Sequence, residues 1–279
     1  MKSMNLLCAG LVVALLPLSM SGSETPSAPK LTAAEIVDKN VAARGGLAAW
    51  RAVHTMEMKG TMDAGGDHRS TLPVPVATKA SMKGPNVVPP RPKEQVQLPF
   101  VMDLQRGRKM RVEIEFQGQT AVQVYNGTQG WKLRPFLNRH EVEDFTPDEL
   151  KAASTQTDLD GLLIDYAAKG SKVELESVDL VDGRSAYNLK VTDKSGYARH
   201  VWVDSGTFLE TKIEGTPRRL DGKYHPVAVY LRDYRTVSGL VMPFLLETTV
   251  EGVRDTEKIK IDNIITNPNL EEARLSKPN

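Results

Sequence analysis

Residues 173–191 read VELESVDLVDGRSAYNLKV, with apolar and polar side chains alternating on both sides of Asp182-Gly183. Successive side chains of a β-strand point to opposite faces of a sheet, so this alternation is typical of strands with one buried face. An Asp-Gly pair between two such runs favours a tight hairpin turn. The stretch therefore predicts two antiparallel strands.

The same alternation continues almost to Ile265, and further glycine-containing turns separate its runs. The apolar members of these runs are Val173, Leu175, Tyr187, Leu189, Val191, Val201, Val203, Leu209, Ile213, Val227, Val229, Leu231, Ile259 and Ile261. Alternating runs at residues 55–62, 108–116 and 120–125 predict more strands in the first half of the chain. We expect one large antiparallel sheet with one polar and one apolar face.

Helices are predicted to be few and short. Thr32 and Glu35 have the spacing of a capping box that starts a helix, and Gly45-Gly46 ends it. Trp50 follows in a short turn, and residues 146–149 and 159–168 predict two further short helices. The fold class is therefore mainly β (α+β). These helices cannot cover the whole apolar face of the sheet, and an uncovered apolar face suggests a ligand.

A proline-rich segment interrupts the first half of the chain. Residues 73–99 hold seven of the 17 prolines. Proline cannot donate a hydrogen bond to a β-ladder, so we expect an insertion or a mobile flap here and no central strand.

The first 30 residues have the pattern of an export signal and a linker. Lys2 is the only charge in residues 1–23, an apolar core spans residues 6–18, and small residues follow it. Residues 24–30 are rich in proline and serine and are predicted to be mobile, and residues 31–279 are predicted to form one domain. The single cysteine, Cys8, precedes most of the apolar core, so we expect no lipid anchor there and no disulfide in the mature chain.

Charge and motif content favour neither nucleic-acid binding nor catalysis. The chain has 36 basic and 35 acidic residues, and loss of Lys2 with the signal would make the two numbers equal. The five histidines are scattered, with no metal-ligand spacing. Asp158 and Asp160-Gly161 resemble the start of a calcium loop, but Lys169 stands where the loop needs a glutamate. We therefore predict no catalytic residue, no metal site and no cofactor.

Several short motifs resemble those of the periplasmic lipoprotein carriers and outer-membrane lipoprotein-sorting factors of the LolA/LolB type. These motifs lie at residues 43–47 with Trp50, 125–131, 183–191, 203–209, and 233–235 leading to 239–243, within a likeness that spans residues 31–278. The resemblance implies an antiparallel sheet curled into an unclosed half-barrel, with helices on its concave side. It also implies a periplasmic location. Residues 73–99 have no counterpart in the small carriers of this family.

The resemblance implies a concave interior that holds acyl chains of a lipid or lipoprotein. The apolar positions chosen by alternation as candidate lining residues are Met56, Met58, Met110, Val112, Ile114, Phe116, Trp131, Trp202 and Leu231. Ordinary core packing explains each of these residues equally well, and methionine is a common core filler. The predicted partners are lipid or lipoprotein acyl chains, and an envelope protein is a second kind of partner. We expect a monomer.

Three functions agree with these observations. The first is a lipid or lipoprotein binder that acts as a carrier to the outer membrane. The second is an envelope sensor or protein-interaction module without transport activity. The third, an exported hydrolase, needs carboxylates or histidines that converge in a cleft, which no motif of the sequence predicts.

Overall fold

A computed structural model describes residues 31–65, 95–135, 139–156, 158–220 and 222–278. The predicted signal and linker (residues 1–30) lie outside the described residues, and so do residues 66–94, which include most of the proline-rich segment predicted at 73–99. Residues from Thr32 onward form one compact unit.

Three α-helices, thirteen strands and a terminal 3₁₀ helix make up this unit. The α-helices are α1 (Ala33–Ala43), α2 (Leu47–Arg51) and α3 (Pro147–Gln156), and the 3₁₀ helix is Glu272–Leu275. The strands of the first half are β1 (Thr55–Gly65), β2 (Gln95–Gln105), β3 (Lys109–Phe116), β4 (Gln119–Asn126), β5 (Gly130–Arg134) and β6 (Arg139–Asp144). The strands of the second half are β7 (Lys172–Val181), β8 (Arg184–Thr192), β9 (Ala198–Asp204), β10 (Glu210–Leu220), β11 (Lys223–Val237), β12 (Leu240–Val250) and β13 (Glu257–Thr266).

All thirteen strands join in one antiparallel sheet. Their order is β6-β5-β4-β3-β2-β1-β13-β12-β11-β10-β9-β8-β7, so the first strand pairs with the last at the centre. β6 and β7 are the two edges, and the sheet curls into a half-barrel that does not close. The predicted fold class is confirmed, and the alternating runs of the second half lie on β7 to β11 and β13.

The helices pack on the concave face and form the main core with it. Trp50 of α2 is 1% exposed and lies in one apolar cluster with Met56 of β1, Phe100 of β2 and Phe244 of β12. The predicted capping box is confirmed, because the Glu35 backbone N–H donates to Thr32 Oγ1 and the Thr32 backbone N–H donates to Glu35 Oε2. The core therefore lies between α2 and the middle strands of the sheet.

Two predictions about local structure are wrong. Pro99 belongs to β2, which lies between β1 and β3, although we expected no central strand in residues 73–99. Pro99 pairs with Thr61 of β1, but the pairing of β2 with β3 begins only at Phe100 and Ile114. Pro99 therefore has no partner on the β3 side, and its missing N–H is tolerated there. Residues 159–170 form successive turns and no helix, because Gly161 and Asp165 have positive φ angles of 80° and 54°.

Gly45 joins α1 to the sheet through a contact that only glycine allows. A Cβ atom at this residue would lie 2.3 Å from the Gly239 carbonyl oxygen, and φ is 106°. Gly46 also has a positive φ, 91°, but has open space around its Cα.

We predict that Gly45→Ala lowers the free energy of unfolding by about 2 kcal/mol more than Gly46→Ala does, because both changes strain the backbone and only the first creates a clash. Urea unfolding of the two variants measures this difference. Equal losses of stability would show that the α1–β12 approach can relax.

Candidate functional site

A row of apolar side chains crosses five strands of the concave face. Leu231 pairs with Leu246, Leu246 with Ile259, Ile259 with Met62, and Met62 with Leu98. All five are only partly buried. We call this set the open row. Because directly paired residues of an antiparallel sheet share a face, the open row presents one continuous strip of hydrocarbon.

A second set of apolar residues continues this strip over β1, β2 and β3. Met58 pairs with Met102, which pairs with Val112, and all three are partly buried. Met110 and Ile114 are also partly buried, and both pack against the main core. Together with the open row, these five residues form what we call the apolar concave surface. It differs from the main core in its exposure, since Met56, Phe100 and Leu104 are at most 8% exposed.

The surface has polar boundaries on two sides. On one side, the next pair of this face after Leu246 and Ile259 is Thr248 of β12 with Glu257 of β13. The Glu257 carboxylate accepts two hydrogen bonds from Arg218, at 2.7 and 2.6 Å. On the β5 side, Lys132 is 6% exposed and donates to both carboxylate oxygens of Glu149 in α3 at 2.6 Å. These ion pairs confine the apolar region to the middle of the sheet.

Glu149 keeps its negative charge despite its partial burial. Burial alone would raise the pKa of Glu149, but hydrogen bonds from Lys132 and Thr146 outweigh it and lower the pKa. Glu149 is therefore a carboxylate at neutral pH, and it neutralises the lysine beneath α3.

The structure places seven of the nine predicted lining residues on the concave face. Met58, Met110, Val112, Ile114 and Leu231 belong to the apolar concave surface, and Phe116 continues the alternation at the end of β3. Met56 is on the same face but is 2% exposed beneath α2, so it belongs to the core.

Trp131 and Trp202 do not lie with these residues. Trp131 pairs with Val124, and Val124 pairs with Arg111, so the three side chains share one face. Arg111 lies between Met110 and Val112 in β3 and points to the opposite face from them, so Trp131 does as well. Trp202 lies between Val201 and Val203, which are fully buried, so its ring is on the other face. Alternation on a short strand does not say which of its two faces meets the core, so both tryptophans were assigned to the wrong face.

Five residues of the surface are missing from the predicted set: Met62, Leu98, Met102, Leu246 and Ile259. Met62 and Ile259 stand in alternating runs and follow from the same signal as Met58. Leu98 falls within the proline-rich segment, where no central strand was expected, and Met102 is three residues beyond its end.

The chemistry available on this surface is limited to apolar contact. Its ten side chains carry no hydrogen-bond donor or acceptor stronger than a thioether sulfur. Methionine side chains adapt to irregular partners, and four of the ten are methionines: Met58, Met62, Met102 and Met110. Among the described residues, no three His, Cys, Asp or Glu side chains are grouped to hold a metal ion. In the same residues, every helix is too short or too polar to cross a membrane.

Comparison with known proteins identifies the fold. No protein-family model matches the chain, and no curated protein matches it. A LolA superfamily protein from Nitrosomonas europaea is similar in structure, with a TM-score of 0.54 and 12% sequence identity. The alignment covers 89% of this chain and 99% of that protein. A DUF1329 family protein from Desulfovibrio piger has a TM-score of 0.53 and 13% sequence identity, and its alignment covers 88% of this chain and 97% of that protein.

An outer-membrane lipoprotein-sorting protein domain from Vibrio parahaemolyticus is similar as well. Its alignment covers 86% of this chain and 94% of that domain, with 12% sequence identity and a TM-score of 0.50. The fold of this chain is therefore that of LolA superfamily proteins, and the resemblance seen in the sequence motifs is confirmed for the fold. Identities this low are informative about fold alone.

Proposed function

We propose that the protein binds the acyl chains of a lipid or lipoprotein on the apolar concave surface. The observation that carries this proposal is the open row, an uninterrupted strip of five partly exposed apolar side chains across five strands. Burial of a CH₂ group is worth about 0.8 kcal/mol, so a long acyl chain gains roughly 10 kcal/mol before ordering costs. Such binding needs no hydrogen bond from the protein.

Export and transport are part of the same proposal. The signal pattern of residues 1–23 would take the chain to the periplasm, where lipoproteins must cross an aqueous space. Similarity to a lipoprotein-sorting domain supports a carrier that delivers acylated cargo to the outer membrane. A half-barrel that does not close suits this task, because cargo can enter and leave without disruption of the sheet.

The experiment is native mass spectrometry of the full chain, expressed with its first 23 residues and purified without detergent, followed by organic extraction. We expect a bound species that extracts as lipid or as an acylated peptide. A clean apo mass that persists after incubation with palmitate and with a diacylated lipopeptide would contradict the proposal.

A second candidate function, protein recognition, has its own observation. β7 is an edge strand, and its residues Val178 and Leu180 are 57% and 76% exposed, among the most exposed large apolar side chains of the described residues. An edge strand with exposed apolar side chains is a template for an added strand from a partner. Cross-linking from residue 178 to an envelope protein, with no lipid in the native spectrum, would favour this function.

A further inference from the structure

His200 lies at the centre of a polar cluster on the convex face of the sheet. Its neighbour in β9, Val201, is fully buried, so the His200 side chain points to the opposite face. Nε2 of His200 lies 3.0 Å from Glu176 Oε2 of β7, and Nδ1 is bonded to Glu214 Oε2 of β10. The imidazole ring therefore connects the edge strand β7 to a strand three places further into the sheet.

These two contacts fit the charged form of His200. A carboxylate only accepts hydrogen bonds, so each ring nitrogen must donate one. A neutral imidazole has a single N–H, whereas the imidazolium has two. Burial alone would lower the pKa of His200, but the hydrogen bonds to Glu214 and Glu176 outweigh it and raise the pKa.

Charged side chains of the neighbouring strands lie on the same face. They are Lys172, Glu174, Glu176 and Asp179 of β7, Lys190 of β8, Lys212 and Glu214 of β10, and Glu251 after β12. Lys190 Nζ lies 3.4 Å from Glu176 Oε1, while the imidazole faces Glu176 Oε2. Lys212 and Asp179 both contact Trp202. The lysines therefore leave His200 in contact with its two carboxylates.

Loss of a proton from His200 affects the two contacts unequally. Glu214 Oε2 also accepts from the His200 backbone N–H at 3.0 Å, and that bond does not titrate. The single N–H of the neutral ring is therefore best placed on Nδ1, which leaves a lone pair on Nε2 facing the Glu176 carboxylate. Because two acceptors repel each other, the contact to β7 breaks and the contact to β10 remains.

Glu176 is the bulged residue of the edge strand. Leu175 and Ser177, on either side of it, pair with the consecutive residues 189 and 188 of β8, so Glu176 has no partner on that strand. A bulge bends an edge strand and hinders its pairing with another chain. His200 therefore holds the residue that gives this edge its irregular shape.

We propose that His200 is a pH-dependent clamp, whose imidazolium fixes the bulge of β7 at Glu176 and whose neutral form releases it. In the second candidate function above, the clamp controls when β7 can accept a partner strand. Only this consequence rests on that function, because the clamp itself involves no partner.

The effect of the clamp on stability has a definite sign. Because the pKa of His200 is raised in the folded chain, the clamp stabilises fully below the unfolded-state pKa of about 6.5 and is lost as the pH rises through the folded-state pKa. The difference in free energy of unfolding between the wild type and His200→Gln should therefore be larger at about pH 6 than at about pH 9. Urea unfolding at the two pH values measures it.

The direct test follows the ring nitrogens of His200 in the full chain by ¹⁵N NMR as the pH is raised. We expect both nitrogens to carry protons at about pH 6 and the ring to titrate above the ordinary histidine value of about 6.5. Hydrogen exchange of the backbone amides of residues 175–178 is measured over the same range. Their protection should fall about tenfold as His200 loses its proton, and His200→Gln should show no such fall.

Two glutamine substitutions on β7 make the test specific. Glu176→Gln should lower the pKa of His200 and abolish the pH-dependent change in protection. Glu174→Gln is the matched control, because it removes a negative charge from the same strand and both ring nitrogens of His200 are bonded to other residues. A neutral His200 ring at about pH 6, equal effects of the two substitutions, or constant protection throughout the titration would each overturn the proposal. None of these measurements needs a partner, so failure of the second candidate function would leave them unchanged.

Discussion

Replacement of Met62 by aspartate is expected to lower the affinity for a long-chain fatty acid at least about a hundredfold, which corresponds to roughly 2.7 kcal/mol. Met62 belongs to the open row and lies between Ile259 on β13 and Leu98 on β2. A carboxylate placed against a hydrocarbon chain has no partner to compensate its desolvation, and a protonated carboxyl still buries an unsatisfied hydroxyl. Met62 is only partly buried, so the fold should tolerate the change.

The matched control is Thr61→Asp. Thr61 is the preceding residue of β1, points to the opposite face and pairs with Lys260, which favours a new carboxylate. Titration of a fluorescent long-chain fatty acid into the wild type and both variants measures the affinities, and thermal unfolding checks that all three fold. If Met62→Asp folds and binds as the wild type does, acyl chains do not occupy the open row.

Replacement of Arg44 by methionine is expected to lower the free energy of unfolding by about 3–5 kcal/mol. Arg44 follows α1, is 7% exposed and donates to Glu210 Oε1 at 3.0 Å, while Glu210 is 3% exposed. The guanidinium also lies 4.4 Å from the Trp50 ring centre. Loss of the arginine leaves the Glu210 carboxylate buried without its cation, and Tyr234, which donates to the Glu210 backbone oxygen at 2.8 Å, lies beside that charge.

Urea unfolding measures this loss, and two further variants define its cause. Arg51→Met removes an exposed arginine paired with Asp165 in the same part of the molecule and should leave the unfolding midpoint close to that of the wild type. The double variant R44M/E210M should recover most of the stability, because it removes both buried charges. Coincident midpoints for Arg44→Met and Arg51→Met would show that the buried pair does not hold α1 to the sheet.

The sheet and the first helix could be predicted because their signals are local. Alternation along residues 187–191 determines a strand, and Thr32 with Glu35 determines a helix start, without reference to distant residues. The turns after β4 and β9 are equally local. Asn126 Oδ1 accepts from the backbone N–H groups of Thr128 and Gln129, and Asp204 Oδ1 accepts from that of Thr207.

The candidate site could be predicted only in part, because the face of a strand depends on its register. A shift of one residue moves every side chain to the other side of the sheet. The β7–β8 pairing shifts register between Leu175 and Ser177. The β1–β13 pairing shifts at Gly60, where a Cβ atom would lie within 2 Å of the Lys260 carbonyl oxygen. The sequence does not mark these irregularities clearly. Trp131 and Trp202 lie on the short strands β5 and β9, where alternation alone does not identify the face that meets the core.

Contacts between residues far apart in the sequence could not be predicted either. Arg44 and Glu210 are separated by 166 residues, and neither has a sequence neighbour that predicts the other. The motif at residues 43–47, recognised as a family resemblance, contains both Arg44 and the close-packed Gly45. Its role in this structure is therefore to dock α1 and α2 onto the sheet.

The pairing of β1 with β13 sets the order in which the molecule can assemble. Strands β1 to β6 and strands β7 to β13 each follow one another along the chain as neighbours, so each half can form by successive local hairpins. The seam between the halves joins Met62 to Ile259, and it can form only after the last strand has emerged from the translocation or synthesis machinery. Until then β1 presents an unpaired edge, and an unpaired edge strand is a template for aggregation.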